Sequence, residues 1–166
     1  MRVNYVDIKP LDTSNGFGIN TSVYFSGCNF RCPYCHNKDF WDFDCGSIWT
    51  PEVEDRVIEC VSSPHVKHLC ILGGEPLQQD LDTLLTFIRK VKKCTGKSVI
   101  MWTGYEWETL LKDTSRMDIV KECEIIIDGK FIQDEKDLTL AHKGSRNQRE
   151  IRVLESIEGN SIVLVE

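Results

Sequence analysis

The stretch that decides the reading is Cys28-Asn29-Phe30-Arg31-Cys32-Pro33-Tyr34-Cys35. Its three thiols are spaced C-x3-C-x2-C, and they follow an apolar run, Val23-Tyr24-Phe25, that reads as a strand. A short loop leaving a strand bends three side chains toward one centre. Thiolates are soft ligands that suit zinc or iron–sulfur clusters. Most protein iron–sulfur clusters take four Cys ligands. Here the local pattern stops at three, and Cys45, ten residues on, has no paired thiol. A cluster with three protein ligands leaves one iron open, and an open position is a catalytic feature. The alternative is a structural zinc site of Cys28, Cys32, Cys35 and His36, because zinc sites use Cys and His at similar spacings.

Bulk properties narrow the setting. The chain has 166 residues, a net charge of −6, 41% hydrophobic residues and eight Cys. That length suits one domain, residues 1–166, around one core. The acidic balance argues against a nucleic-acid partner. No apolar run approaches the roughly 20 residues that span a membrane, and no apolar segment follows Arg2 as in a secretory signal. Cys60, Cys70, Cys94 and Cys123 fall in apolar, regular stretches, where free Cys acts as a small hydrophobe. A reducing cytoplasm is the natural setting.

Outward from the cysteine loop, the pattern alternates strands and helices. Arg2 to Ile8 reads as an edge strand, Asp12 to Gly18 as a loop, and Thr21 to Ser26 as the strand that delivers the cysteines. Phe40 to Trp49 is aromatic and acidic without a clear period, and is expected to pack over the cysteine loop. Thr50-Pro51 opens a helix with an N-cap and a proline at its first position. His68 to Leu72 is a buried strand by length. Asp80 to Cys94 is a helix with Leu81, Leu84, Leu85, Ile88 and Val91 on one face. Ser98 to Thr103 and Glu124 to Asp128 read as strands, separated by a broken helix from Glu106 to about Lys121. Arg149 to Leu154 and Ser161 to Val165 read as a final strand pair around Glu158-Gly159-Asn160.

Alternating strands and helices predict parallel βα units. About four such units are too few for a closed eight-unit barrel, which takes about 250 residues. The expected fold is α/β, an open partial (βα) barrel with a mainly parallel curved sheet. The cysteine loop, Gly73-Gly74-Glu75-Pro76, Thr103-Gly104-Tyr105 and Asp128-Gly129-Lys130 all fall at the C-terminal ends of strands, the ligand-binding edge of parallel α/β folds. Glycines after a strand bare the backbone, and exposed carbonyls with the Glu75 carboxylate make an acceptor-rich pocket for an ammonium group.

Cys28-x3-Cys32-x2-Cys35 resembles the signature of the radical S-adenosylmethionine superfamily. Ser26-Gly27 before it and His36-Asn37-Lys38 after it resemble the anaerobic ribonucleotide reductase activases. So do Asn15-Gly16-x-Gly18, Trp102-Thr103-Gly104-Tyr105, Asp128 to Asp134, and Gly144-Ser145-Arg146-Asn147-Gln148. The resemblance covers nearly the whole chain. Two departures stand out: Phe17 where that family often has Pro, and Asn20 where it often has Arg. They bear on the first loop, not on the core chemistry.

The resemblance implies that Cys28, Cys32 and Cys35 hold one 4Fe-4S cluster whose open iron takes S-adenosylmethionine. Gly73, Gly74 and Glu75 would receive its amino group. Tyr34, Cys35 and His36 would lie along the adenine, and Thr103 belongs to the same ring of contacts. Reductive cleavage would then generate a glycyl radical on the large subunit of an anaerobic ribonucleotide reductase, with a one-electron reductant such as flavodoxin. The rivals are an activase of another glycyl radical enzyme such as pyruvate formate-lyase, a small-molecule enzyme of the superfamily, and a zinc-binding adaptor. The loop from Gly144 to Arg149 is expected near the open side, facing partner or cofactor.

Overall fold

The computed structural model describes residues 2–166. Seven strands form one sheet: β1 (Asn4–Asp12), β2 (Asn20–Phe25), β3 (Ser47–Ile48), β4 (His68–Gly73), β5 (Ser98–Trp102), β6 (Ile125–Asp128) and β7 (Arg149–Arg152). Their spatial order is β3-β1-β2-β4-β5-β6-β7. The central strands β2, β4, β5 and β6 are parallel, in a register that sets Val23 beside Ile71 and Ile71 beside Met101. Three further pairings, β1 with β2, β3 with β1, and β7 with β6, are antiparallel. The mainly parallel sheet expected from the sequence therefore describes the centre only. The first strand is not an edge either, because β3 pairs outside it.

The helices are α1 (Pro51–Val61), α2 (Leu81–Thr95), α3 (Trp107–Leu110), α4 (Thr114–Val120) and α5 (Val153–Glu158). Local chemistry sets their ends. Thr50 caps α1, with its hydroxyl accepting from the Val53 amide ahead of Pro51. Asp80 caps α2 at the Thr83 amide, and Gly96 ends it in the left-handed conformation.

Strand alternation splits the interior in two. Val23, Phe25, Leu69, Ile71, Val99, Met101 and Ile126 face the larger core, where Val57, Val61, Leu84, Phe87, Ile88, Val91 and Val120 of the helices meet them. Tyr24, Cys70, Leu72, Ile100, Ile125 and Ile127 face the other way, with Phe17, Phe40 and Trp102 packed against them. Two loops cover that second face: the rings of Phe17 and His142 meet edge-on at 4.4 Å, and the Trp102 indole N–H donates to the His142 carbonyl at 2.5 Å.

The C-terminal strand pair is replaced by strand, helix and tail. Val153 and Ser156, three apart, are both buried, and the Ser156 hydroxyl donates to the Arg152 carbonyl. That periodicity favours a helical turn over a hairpin. The tail still returns alongside β7: the amides of Arg152 and Val165 donate to the carbonyls of Val163 and Glu150.

Candidate active site

The parallel strands end around one cavity of about 440 Å³. Its lining comes from four strand exits and the two covering loops. Cys28, Cys32, Cys35 and His36 follow β2, Gly73 to Glu75 end β4, Thr103 and Gly104 follow β5, and Gly129 and Lys130 follow β6. Ser14, Asn15, His142, Lys143, Gly144 and Gln148 come from the covering loops. The strand-exit motifs singled out in the sequence thus meet in one place, and two segments far apart in the chain complete it.

The cysteine loop is shaped by its backbone. Arg31 and Tyr34 adopt left-handed angles, φ 54° and 60°, a cost that non-glycine residues carry only where the surroundings impose it. The amides of Gly27 and Cys28 donate to the carbonyls of Phe40 and Trp41 at 2.7 and 3.1 Å, so the aromatic stretch does pack beside the loop. Cys28 is buried, while Cys32 and Cys35 are half-buried. Burial pushes the Cys28 thiol up, against the pull of the Phe30 and Arg31 peptide N–H groups. The Cys32 thiol is raised by burial and by Cys35, against the Phe131 peptide N–H and the Lys130 ammonium. Peptide donors aimed at sulfur are what a thiolate-held cluster uses to set its potential. With three soft donors, N–H groups directed at two of them and adjoining space, the residues fit a cluster. Among the described residues, no three His, Cys, Asp or Glu side chains converge as they would on a single ion.

The glycine turn fits against this loop without room for side chains. Gly73 has φ +122°, and a Cβ there would lie 2.3 Å from the Phe25 carbonyl oxygen. A Cβ on Gly74 would lie 2.4 Å from the Gly27 carbonyl oxygen. Both obstacles are backbone, so neither yields. Glu75 is 1% exposed. Its Oε1 accepts from the Leu77 amide at 3.0 Å and the Thr103 hydroxyl at 2.8 Å, and its Oε2 from the Gly104 amide at 2.7 Å. Burial pushes its carboxyl up to about 7, although those three donors and Arg116 act in the opposite sense. Glu75 thus welds the β4 exit to the β5 exit through Thr103, an arrangement the motif alone does not reveal. Tyr34 is 70% exposed and lies outside the cavity lining, whereas His36 is within it.

The rear loop is anchored from below. The Asn147 amide donates to the Lys130 carbonyl at 2.8 Å and the Gln148 amide to the Gly129 carbonyl at 2.9 Å. Arg149 is committed elsewhere: Nε and Nη2 bond the buried Asp128 at 3.0 and 2.5 Å, and Nη1 and Nη2 bond Glu108 at 3.0 and 2.9 Å. Of this loop, Gly144 and Gln148 line the cavity, while Arg149 is held in an ion-pair network with the buried Asp128 and the exposed Glu108. At the front, Asn20 is fully buried and donates to the Asn15 and Gly18 carbonyls, which holds that loop's shape.

Residues 14–151 match the model of the 4Fe-4S single cluster domain family. The chain is 34% identical over 150 residues to the anaerobic ribonucleoside-triphosphate reductase-activating protein of Escherichia coli K12, covering 88% of this chain and 96% of that one. It is 36% identical to the protein of that name from Pasteurella multocida, covering 88% and 95%. With the phage T4 protein it shares 29% over 153 residues, covering 89% and 92%. On these matches, the chain belongs to the family of anaerobic ribonucleoside-triphosphate reductase-activating proteins.

Proposed function

We propose that the chain reductively cleaves S-adenosylmethionine at a 4Fe-4S cluster and so places a glycyl radical on the large subunit of an anaerobic ribonucleotide reductase. The observation that carries this is the convergence of the three-thiol loop, the glycine turn and Thr103-Gly104 on one cavity. Cys28, Cys32 and Cys35 are the cluster ligands in this reading. When bound, the cluster supplies the single electron for cleavage, drawn from a donor of the flavodoxin kind.

The chain's own residues bind and orient. Peptide N–H groups of Phe30, Arg31 and Phe131 offset the negative charge of the Cys28 and Cys32 thiolates. Gly73 and Gly74, having no side chains, let the amino-acid end of the substrate approach the main chain of the turn. Glu75 and Thr103 hold that turn in register with the next strand exit. His36, with Cys35, forms the adenine side of the cavity. Phe30, with Tyr105 edge-on at 4.8 Å and Lys130 over its ring at 4.6 Å, walls the cavity against water.

In the same reading the sheet curves as an open partial barrel within one unit of residues 1–166, in a reducing cytoplasm. Among the described residues, no helix is long and apolar enough to cross a membrane. Similarity to reductase activators over 88% of the chain favours the reductase over other glycyl radical enzymes as partner. The test is anaerobic reconstitution with iron and sulfide, reduction with dithionite, and assay of 5′-deoxyadenosine from S-adenosylmethionine. About four irons per chain and product formation that needs all three Cys support the proposal. Stoichiometric zinc without product overturns it.

A further inference from the structure

We propose that Gln79, with Gln78 beside it, is a positioning residue that sets the three-thiol loop against the glycine turn, and so fixes where the cluster stands relative to the substrate. This rests on the function proposed above. Neither glutamine belongs to a motif that the sequence reading singled out.

Gln79 is 4% exposed. Its side-chain amide nitrogen donates to the Ser26 carbonyl at 2.7 Å and the Glu75 carbonyl at 3.1 Å, and reaches the Gly27 carbonyl at 3.5 Å. All three partners are acceptors, so only the NH2 end of the amide fits there. Ser26 is fully buried, and a buried carbonyl without a donor is costly. Gln78 works on the other side. Its Oε1 accepts from the Asn29 amide at 2.7 Å, and its Nε2 donates to the Tyr105 hydroxyl at 3.4 Å.

Two consecutive side chains therefore join three strand exits: β2 at Ser26, Gly27 and Asn29, β4 at Glu75, and β5 at Tyr105. Cys28 sits between the two residues they grip. The Glu75 amide adds a direct bond to the Gly27 carbonyl at 2.8 Å, which makes the contact between loop and turn continuous. A shift in this contact moves the first cysteine against Gly73 and Gly74 without touching a ligand.

The test uses the full-length chain with Gln78→Ala, Gln79→Asn, Gln79→Leu and Gln79→Glu. In metal-free protein, amide hydrogen exchange at Asn29 is expected to rise about tenfold in Gln78→Ala as its acceptor is lost. In reconstituted protein, iron content is expected to stay at the wild-type level. Affinity for S-adenosylmethionine, read from its effect on the electron paramagnetic resonance spectrum of the reduced cluster, is expected to fall about tenfold in Gln79→Leu and more in Gln79→Glu, whose carboxylate faces three carbonyls. Gln79→Asn, which keeps the donors but is shorter, is expected in between, and it serves if the other two fail to fold. A purely structural role would lower the melting temperature and leave affinity and spectrum alone. Unchanged Asn29 exchange, together with affinity within about twofold of wild type in the Gln79 variants, overturns the inference. If wild-type protein shows no spectral response to S-adenosylmethionine, the proposed function fails, and Asn29 exchange in the metal-free chain still decides whether the glutamines hold the loop.

Discussion

The parallel strands β2, β4, β5 and β6 have two ends, and the two are built on different terms. At the N-terminal end, short ties close the edge. His68 and Ser98 stand side by side in the register of β4 and β5 and share a hydrogen bond of 2.7 Å. The Lys97 ammonium donates to the Val66 carbonyl at 2.7 Å, and the Lys67 amide to the Ile19 carbonyl at 2.8 Å. At the C-terminal end the same strands open on a cavity of about 440 Å³. There Arg31 and Tyr34 carry left-handed backbone, and a buried carboxyl, Glu75, is raised to about 7. One end holds the strands together, and the other keeps strained backbone and costly groups in place because the first end and the core over-determine it. Substitutions at the cavity end should therefore strike activation, and those at the closed end stability alone.

The largest effect is expected from Cys28→Ala, Cys32→Ala or Cys35→Ala. Each should abolish glycyl radical formation and lower bound iron while far-ultraviolet circular dichroism stays unchanged. Full activation by any one of them would remove that thiol from the ligand set. Gly74→Ala comes next. Its Cβ would meet the Gly27 carbonyl, which cannot rotate away, so activation should drop by about a hundredfold, as for angstrom-scale misplacement of reacting groups. Wild-type rates would show that loop and turn move apart freely.

Arg149→Met tests the rim of the cavity end. Asp128 is 1% exposed and, among the described residues, would keep the Trp107 amide alone as partner. A loss of about 3–5 kcal/mol in urea unfolding is expected for a broken buried pair. The same arginine holds the Glu108 carboxyl down to about 2 from an ordinary 4.5. Its depressed value means that the Glu108 contribution is fully present above about 4.5 and fades as pH falls toward 2.

Glu75 has the opposite sign. Its folded value lies above its unfolded one, so the native state binds the extra proton between 4.5 and 7. Unfolding midpoints measured across that window should fall as pH rises, and Glu75→Gln should flatten that slope. The smallest effect is expected at the closed end. Ser98→Ala removes one hydrogen bond to His68 and should cost about 1 kcal/mol, with activation unchanged. A large activation defect there would break the contrast between the two ends.

What could be seen before the structure follows the same division. Helix ends were legible because Thr50-Pro51, Asp80 and Gly96 act locally. The central strands were legible because two-sided burial makes runs such as Leu69 to Leu72 continuously apolar. The last helix was missed because Val153 and Leu154 suit a strand as well as a helix, and the burial of Ser156 decides it. In the site, the cysteines and glycines stood out through spacing and residue type. Gln78 and Gln79 did not, since a glutamine gains its role only from the carbonyls brought to it by strands distant in sequence. Likewise, nothing local marks Arg149 as the partner of Asp128 and Glu108 rather than a free cation on the loop. Cys70 and Cys123 are buried and pushed up to about 12, in keeping with a packing role, whereas Cys60 is half-buried and Cys94 exposed, so the packing role expected for all four does not extend to Cys94.

The most direct measurement of the central claim joins the reconstituted, dithionite-reduced chain with S-adenosylmethionine and the large subunit of an anaerobic ribonucleotide reductase, and records the electron paramagnetic resonance spectrum. A glycyl radical doublet is expected on the large subunit, and it should disappear when Cys28, Cys32 or Cys35 is replaced. Formation of 5′-deoxyadenosine with no radical on the partner, under conditions where the cluster is fully loaded, would contradict it.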